Sequence, residues 1–394
     1  MKALAWFLRI AVGCLFVFSG FIKANDPVGF EIKMDEYFSV FSQGYSCDRP
    51  GSVPTDPAAE PSSFWLFFKG FALEIAMLMV IVEMILGLML LIGYRVKLTL
   101  ILLMLMTVFF TFLTFYSAYC NKVTDCGCFG DFLHLKPWQS FYKDVVLIAM
   151  ITPLFFLQKH IKPLLRGKLM LIAMAAGTIA SVAFPVYTLN FLPVFDFRAY
   201  KVGTNLLEAM SIPPGAPTGK YETYFLYTNL NTGKQQQFTL KDYPWQDTLT
   251  WRRDSMWTVT VEEPYQPPIH DFHLNNLDGF EYTEEILGAP GLKFFIVAYD
   301  LSATSIRGIR KLEDFTSLCQ KENIPVYLLT SSPDPETFVK ENDLKVEILF
   351  VDGTQLKTMI RSNPGLVRLN GPEVTGMWHY NSFPTFNEAK ANSN

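Results

Sequence analysis

The sequence predicts a membrane-spanning all-α bundle in its first half, then a β-rich segment, then an α/β domain. Three observations predict it. Apolar residues crowd positions 1–190, whereas 191–394 has the make-up of an ordinary soluble protein. The apolar runs are long enough to cross a hydrocarbon core, which takes roughly 20 helical residues. From His270 onward, short apolar runs alternate with amphipathic ones, the pattern of βαβ units.

The runs cover about 3–22, 71–92, 98–119, 142–158 and 169–190. The first has no small-residue cleavage site before Lys23 and is followed by further spans, so it is expected to be a retained helix and not a leader. The fourth is the shortest and carries Pro153, which a helix bundle accommodates as a kink. Of the 394 residues, half are apolar and 35 are Phe. The formal charge of −4 leaves no basic footprint, which argues against nucleic acid as a partner and leaves the lipid bilayer as the first one.

Charge predicts orientation. Lys159, Lys162, Arg166 and Lys168 sit between spans four and five, and Arg95 and Lys97 between spans two and three, without an acid in either segment. Both belong in the cytoplasm by the positive-inside rule. The stretch 23–63 sets Lys23, Lys33 and Arg49 against Asp26, Glu31, Asp35, Glu36, Asp48, Asp56 and Glu60, as an external loop does. The expectation is an inner-membrane, multi-pass chain with a cytoplasmic N-terminus and residues 191–394 in the periplasm.

Charges inside a membrane need a reason. Glu83 lies near the middle of span two and Glu74 nearer its outer end, on opposite sides of the helix, so they do not form one carboxylate pair. Arg9 in span one lies at a depth from which it is expected to reach Glu83, and Lys23 closes that span. A buried ion pair joining two helices is the plainer reading, and a proton or quinone site the sharper one.

There are six cysteines. Cys47 lies in the first external loop and Cys120, Cys126 and Cys128 in the second, where an oxidising compartment permits disulfides. Cys126 and Cys128 can bridge each other only through a sharp turn at Gly127, and a strained, easily reduced bond suits exchange chemistry. They can equally pair with Cys120 and Cys47 as staples. Three Cys without a His at the right spacing make a poor metal site, and nearby His134 reads as a surface residue. Cys14 and Cys319 read as packing residues on helical faces.

Residues 191–266 predict a β-rich segment, with a hairpin at Asn229–Gly233 and a strand within Thr248–Val261. Pro264–Pro268 marks a boundary. Beyond it come strands at 292–299, 325–330, 346–351, 366–369 and 374–378, with helices at 305–323, 335–342 and 355–361. Asp334 is the expected N-cap of the second helix, with Pro335 at its first position. Parallel βαβ units closing on a hairpin predict helices on both faces of one sheet.

Two resemblances follow. Residues 1–160 resemble the DoxX/MauE group of membrane proteins in Ser19-Gly20-Phe-Ile-Lys23, in Glu83 with Gly87, and in Cys126-Gly-Cys128-Phe-Gly130, the last pointing to MauE. The resemblance implies a four-helix bundle laid out like vitamin K epoxide reductase, and a role in forming or transferring disulfides during maturation of exported proteins. The MauE family is named for methylamine utilisation. Residues 161–190 add a fifth helix as a tether. Residues 267–394 resemble a thioredoxin-like domain, with Pro364 where that family keeps its cis-proline. The Cys-x-x-Cys is replaced by Ser302-Ala-Thr-Ser305, so this domain lacks the thiolate that exchange needs and is expected to bind rather than react.

Together these imply thiol–disulfide exchange through Cys126 and Cys128, with Cys120 and Cys47 as a relay, a quinone as electron acceptor, and a periplasmic client or a true thioredoxin held at the groove of Pro364, Ser302 and Ser305. A non-enzymatic scaffold with structural loop disulfides is the alternative. A quinone-linked oxidoreductase subunit or small transporter, for which Glu83→Gln is fatal and the cysteines dispensable, is the third.

Overall fold

The computed structural model describes residues 1–43, 61–120, 123, 127, 129–133, 135–262 and 264–391. Seven helices open the chain: α1 (Lys2–Asn25), α2 (Pro27–Ser42), α3 (Ser63–Lys69), α4 (Ala72–Ile92), α5 (Val96–Cys120), α6 (Pro137–Leu157) and α7 (Gly167–Asn190). Five helical segments, all but α2 and α3, are long and apolar enough to cross a membrane. Helix α6 begins at Pro137, earlier than expected, because Pro137 takes the first helical position and the Gln139 side chain accepts from the Lys136 N–H. The first loop also differs from expectation. It contains α2, started by Pro27 and capped by Asp26, whose Oδ1 accepts from Gly29 N at 3.0 Å.

Helices α1 and α4 pack backbone to backbone because glycines line the contact. A Cβ at Gly87 would lie 2.9 Å from Val17 N and 3.0 Å from the Gly13 carbonyl, and one at Gly20 would lie 3.2 Å from Met84 N. Neither backbone can yield. Gly87→Val is therefore expected to cost about 1–3 kcal/mol by overpacking, read as a lowered midpoint of thermal unfolding in detergent, while Gly70→Ala, whose nearest added contact is 3.4 Å, leaves the midpoint in place. Helix α7 lies against α4 and α1 with only 11% of its apolar window buried, so most of its surface is left for lipid.

After α8 (Leu206–Met210) come β1 (Lys220–Asn229), β2 (Gln235–Thr239) and β3 (Trp251–Glu262), an antiparallel sheet in the order β2-β1-β3. Its apolar face is aromatic: Phe225 stacks on Tyr243 at 4.4 Å, and Phe238 meets Tyr227 and Trp251 edge-on.

The last part comprises α9 (Thr283–Gly288), β4 (Leu292–Val297), α10 (Ile306–Lys321), β5 (Val326–Thr330), α11 (Pro335–Glu341), β6 (Glu347–Phe350), α12 (Gly353–Met359), β7 (Gly365–Asn370), β8 (Glu373–His379) and α13 (Phe386–Ala391). The sheet order is β6-β5-β4-β7-β8, with β4, β5 and β6 parallel and β7 and β8 antiparallel. Alternation along β4 sends Phe295 and Val297 to one core with Leu356 and Met359 of α12, and Phe294 and Ile296 to the other with Ile309, Leu312 and Phe315 of α10. Helix α12 ends at Met359, two residues before the expected end, and Ile360 is extended, which turns Arg361 out of the helix toward the bundle.

Buried His379 at the end of β8 reports on this domain. Asn381 N–H donates to its Nδ1 at 3.2 Å, and burial pushes its pKa down to about 4. The unfolded chain takes up that proton near pH 6.5 and the folded one does not, so stability is full above that pH and falls as pH drops toward 4. His379→Asn is expected to flatten this slope in urea titrations at pH 7 and pH 5.

Candidate functional site: a charged cluster and a cysteine-bearing loop

The antiparallel register of α1 and α4 decides which intramembrane charges meet. Gly13 lies level with Gly87 and Leu91, and Gly20 level with Met84. Lys23 is therefore the cation beside Glu83, and Arg9 is not. Lys23 Nζ lies 2.8 Å from Glu83 Oε2, and both side chains are buried. Phe110 and Phe30 cover the ammonium, their ring centroids 4.6 and 5.1 Å away.

The expected pairing of Arg9 with Glu83 is thus corrected. Arg9 lies level with the last turn of α4 and closes it: Nε donates to the Leu90 carbonyl at 3.0 Å, Nη2 to that of Leu91 at 2.7 Å and Nη1 to that of Lys162 at 2.8 Å. The Leu90 carbonyl also accepts from Gly93 N at 3.2 Å, and the guanidinium adds charged donors at this helix C-terminus, where a cation is favoured. Glu74 is exposed in the first turn of α4, where a carboxylate is favoured by the helix dipole.

A second ion pair, which the reading of the sequence passed over, faces the first. Lys143 Nζ lies 2.9 Å from Asp144 Oδ1, and Thr114 donates to Asp144 Oδ2 at 3.1 Å. The signal was present as two adjacent charges at the head of an apolar run. Between the two pairs is a cavity of about 20 Å³, lined also by Ser19 and Thr107. That is room for one water with several polar partners.

The described residues of the second loop, among them Val123, Gly127 and Phe129–Leu133, lie at this end of the bundle. Cys120, at the end of α5, is buried and disulfide-bonded. Cys47, Cys126, Cys128 and His134 lie outside the described residues. Gly127 has φ +64°, the conformation that glycine adopts without strain, and a Cβ there would meet Lys33 of α2 at 2.9 Å. Phe129 lies under Lys143 and beside Phe18, and Phe132 meets Phe18 and Phe197 edge-on. Of the remaining cysteines, Cys319 is packed in the α/β core as expected, its thiol pushed up to about 12 by burial. Cys14 differs from expectation: it is exposed on α1 and does not pack.

The α/β domain docks at the same end. Arg361 Nε and Nη2 both donate to the Asp26 carboxylate, at 2.8 to 3.0 Å, and Nη2 lies 3.8 Å from Asp131 Oδ2. Burial alone would raise the Asp26 carboxyl, but the guanidinium beside it holds it below the usual carboxylate range. Asn25 and Phe195 exchange two hydrogen bonds, and Arg198 Nη1 donates to the Met359 carbonyl at 3.1 Å. Asp26 and Arg361 were not singled out from the sequence, because nothing local links residues 335 apart.

Pro364, Ser302 and Ser305 do come together. The Asn363–Pro364 peptide is cis, Ser305 N donates to the Asn363 carbonyl at 3.0 Å, and Gly308 lets the first turn of α10 lie on the Pro364 ring. Ser302 Oγ donates to Asp300 at 2.6 Å, and Ser305 caps α10.

Residues 56–157 match the family model of the methylamine utilisation protein MauE, a stretch from before α3 to the end of α6 that includes the loop with Cys120, Cys126 and Cys128. Residues 221–261, the three-stranded sheet, match a domain of unknown function (DUF8463). No curated protein and no solved structure matches the chain.

Proposed function

We propose that this is a multi-pass inner-membrane protein of the DoxX/MauE type that supports thiol–disulfide exchange in the maturation of exported proteins. The reactive bond is in the Cys126-Gly-Cys128 loop, and residues 267–394 form a thioredoxin-like binding module without redox chemistry of its own. The observation that carries this reading is the meeting of both parts at one loop: Asp131, three residues after Cys128, lies beside Arg361, three residues before cis-Pro364. The MauE match over the loop and the disulfide at Cys120 support it. The basic connections 93–97 and 158–168 lie at the opposite end of the bundle, which supports a cytoplasmic N-terminus and a periplasmic α/β domain.

In the exchange, a client thiolate attacks the loop disulfide, a mixed disulfide forms, and the second client thiolate displaces the loop sulfur. The client gains a disulfide, and the loop takes two electrons and two protons. A quinone is the acceptor that would take these electrons from the loop; the cavity between the ion pairs, about 20 Å³, has room for a water and not for its ring. The domain's part is to hold the client near the loop and so raise its effective concentration.

A scaffold whose loop disulfides are structural is the second reading, favoured by the serines at 302 and 305. Trapping separates the two. Cells are quenched with acid, their thiols blocked with a maleimide, and the Cys128→Ser variant is searched for a mixed disulfide at Cys126. A captured exported protein is the expected result. Loop cysteines that stay fully oxidised in the wild type, with no adduct in the variant, would leave the scaffold.

A further inference from the structure

We infer that α3 is an interfacial anchor, a helix too short to cross the bilayer whose aromatic face rests in the boundary between headgroups and acyl chains. Its seven residues make about 10 Å of helix, against the ~30 Å of a hydrocarbon core. Phe64, Leu66 and Phe67 are exposed, the two phenylalanines by 60% and 63%, and Phe71, just before α4, extends the row. Helical spacing sorts the side chains. Phe64, Phe67 and Phe71 face outward, whereas Trp65 and Phe68 turn to Phe38 and Phe41 of α2, the Trp65 and Phe41 rings 5.0 Å apart. The charge of α3 is drawn toward α2 as well: Lys69 Nζ donates to Ser39 Oγ at 2.9 Å and lies 3.5 Å from the Asp35 carboxylate. Large apolar side chains displayed together in this way mark a membrane or protein contact.

Three features make lipid the occupant. The patch is continuous with a lipid-facing surface, since Phe71 and Leu78 are both exposed, two turns apart on one side of the span α4. Glu74, exposed between them, sets the level. Helical side chains lean toward the N-terminus, so this carboxylate leans toward α3, and headgroup level is where a charge on such a surface is solvated. Aromatic residues also collect at the same end of the neighbouring spans. Phe115 and Tyr119 stack near the end of α5, and Trp138 and Tyr142 lie in the first turns of α6, all of them exposed. Such a girdle is what aromatic side chains form at a bilayer surface. Through Trp65, Phe68 and Lys69 the anchor holds α2, the helix that Asp26 caps, at that level. Anchoring of this kind does not depend on the chemistry of the cysteine loop.

The test places the photoreactive amino acid p-benzoylphenylalanine at Phe67 of the full chain, reconstituted in vesicles of phosphatidylethanolamine and phosphatidylglycerol. After irradiation, the mass of the protein reports what has been captured. Leu105, exposed in the middle of α5, calibrates full lipid contact, and Leu318, exposed near the far end of α10, calibrates its absence. The expected result at Phe67 is a phospholipid adduct with a yield near that at Leu105 and several-fold above that at Leu318. Phe64 is the second position, since it too is exposed and accepts the probe without repacking. Yields at the Leu318 level in both positions, or capture of a second copy of the chain or another protein in place of lipid, overturn the inference.

Discussion

Glu83→Leu is expected to destabilise the bundle by about 3–5 kcal/mol, the cost of leaving one partner of a buried ion pair unmatched. Lys23 would be left without its carboxylate at the end of α1, enclosed by Phe30 and Phe110, with Lys143 and Asp144 across the small cavity. Bulk water and lipid headgroups do not reach a side chain that is 2% exposed, and the cavity beside it has room for a single water. Removing both charges, Lys23→Met with Glu83→Leu, is expected to recover most of the loss, because apolar pairs of similar volume replace such bridges at little or no cost. The measurement is a double-mutant cycle on unfolding in detergent. A coupling near zero would mean that the pair contributes nothing to holding α1 against α4. Recovered stability with lost disulfide transfer would give these charges a role in chemistry, and recovered transfer would make them structural.

Arg361→Met is the second large effect. It leaves Asp26 as an enclosed carboxylate with its charge unmatched, again about 3–5 kcal/mol, but the loss falls on docking and not on the core of the α/β domain. The expected result is faster proteolysis in the connector 191–205 with the domain itself intact. The same junction carries a pH dependence. Asp26 is held below the usual carboxylate range by Arg361, so its contribution is full above the unfolded carboxylate's pKa, near 4, and is lost as pH falls through the lower folded value. Proteolysis of the wild-type connector should therefore quicken in acid, and in Arg361→Met that acid step should be missing.

The spans and the α/β elements were legible because each writes its own period: about 20 apolar residues for a helix across lipid, and alternation broken by caps for the strands. Helix α2 was equally legible in principle. Phe30, Met34, Tyr37 and Phe41 recur at helical spacing after Asp26-Pro27, but Glu31, Asp35 and Glu36 among them give the stretch the charge of an external loop. What the sequence does not carry is register. Whether Arg9 or Lys23 meets Glu83 depends on how far α1 slides along α4, and the glycines that set this are visible only as pairs. The α/β part is legible as an order of elements, with Ser302 and Ser305 brought to cis-Pro364 by contacts that only the fold shows.

The bond between Asp26 and Arg361 also has a timetable. The two residues are separated by 335 positions, so Asp26 leaves the ribosome long before its partner exists. At roughly 5–20 residues per second, the interval is on the order of 20–70 s. The bundle is complete only at Asn190, 171 residues before Arg361, so for roughly 10–35 s of that interval the inserted helices stand without the domain that later docks on them. A nascent bundle is thus an open one, and the end of it that carries Asp26 is reachable before the chain has finished the domain that docks there.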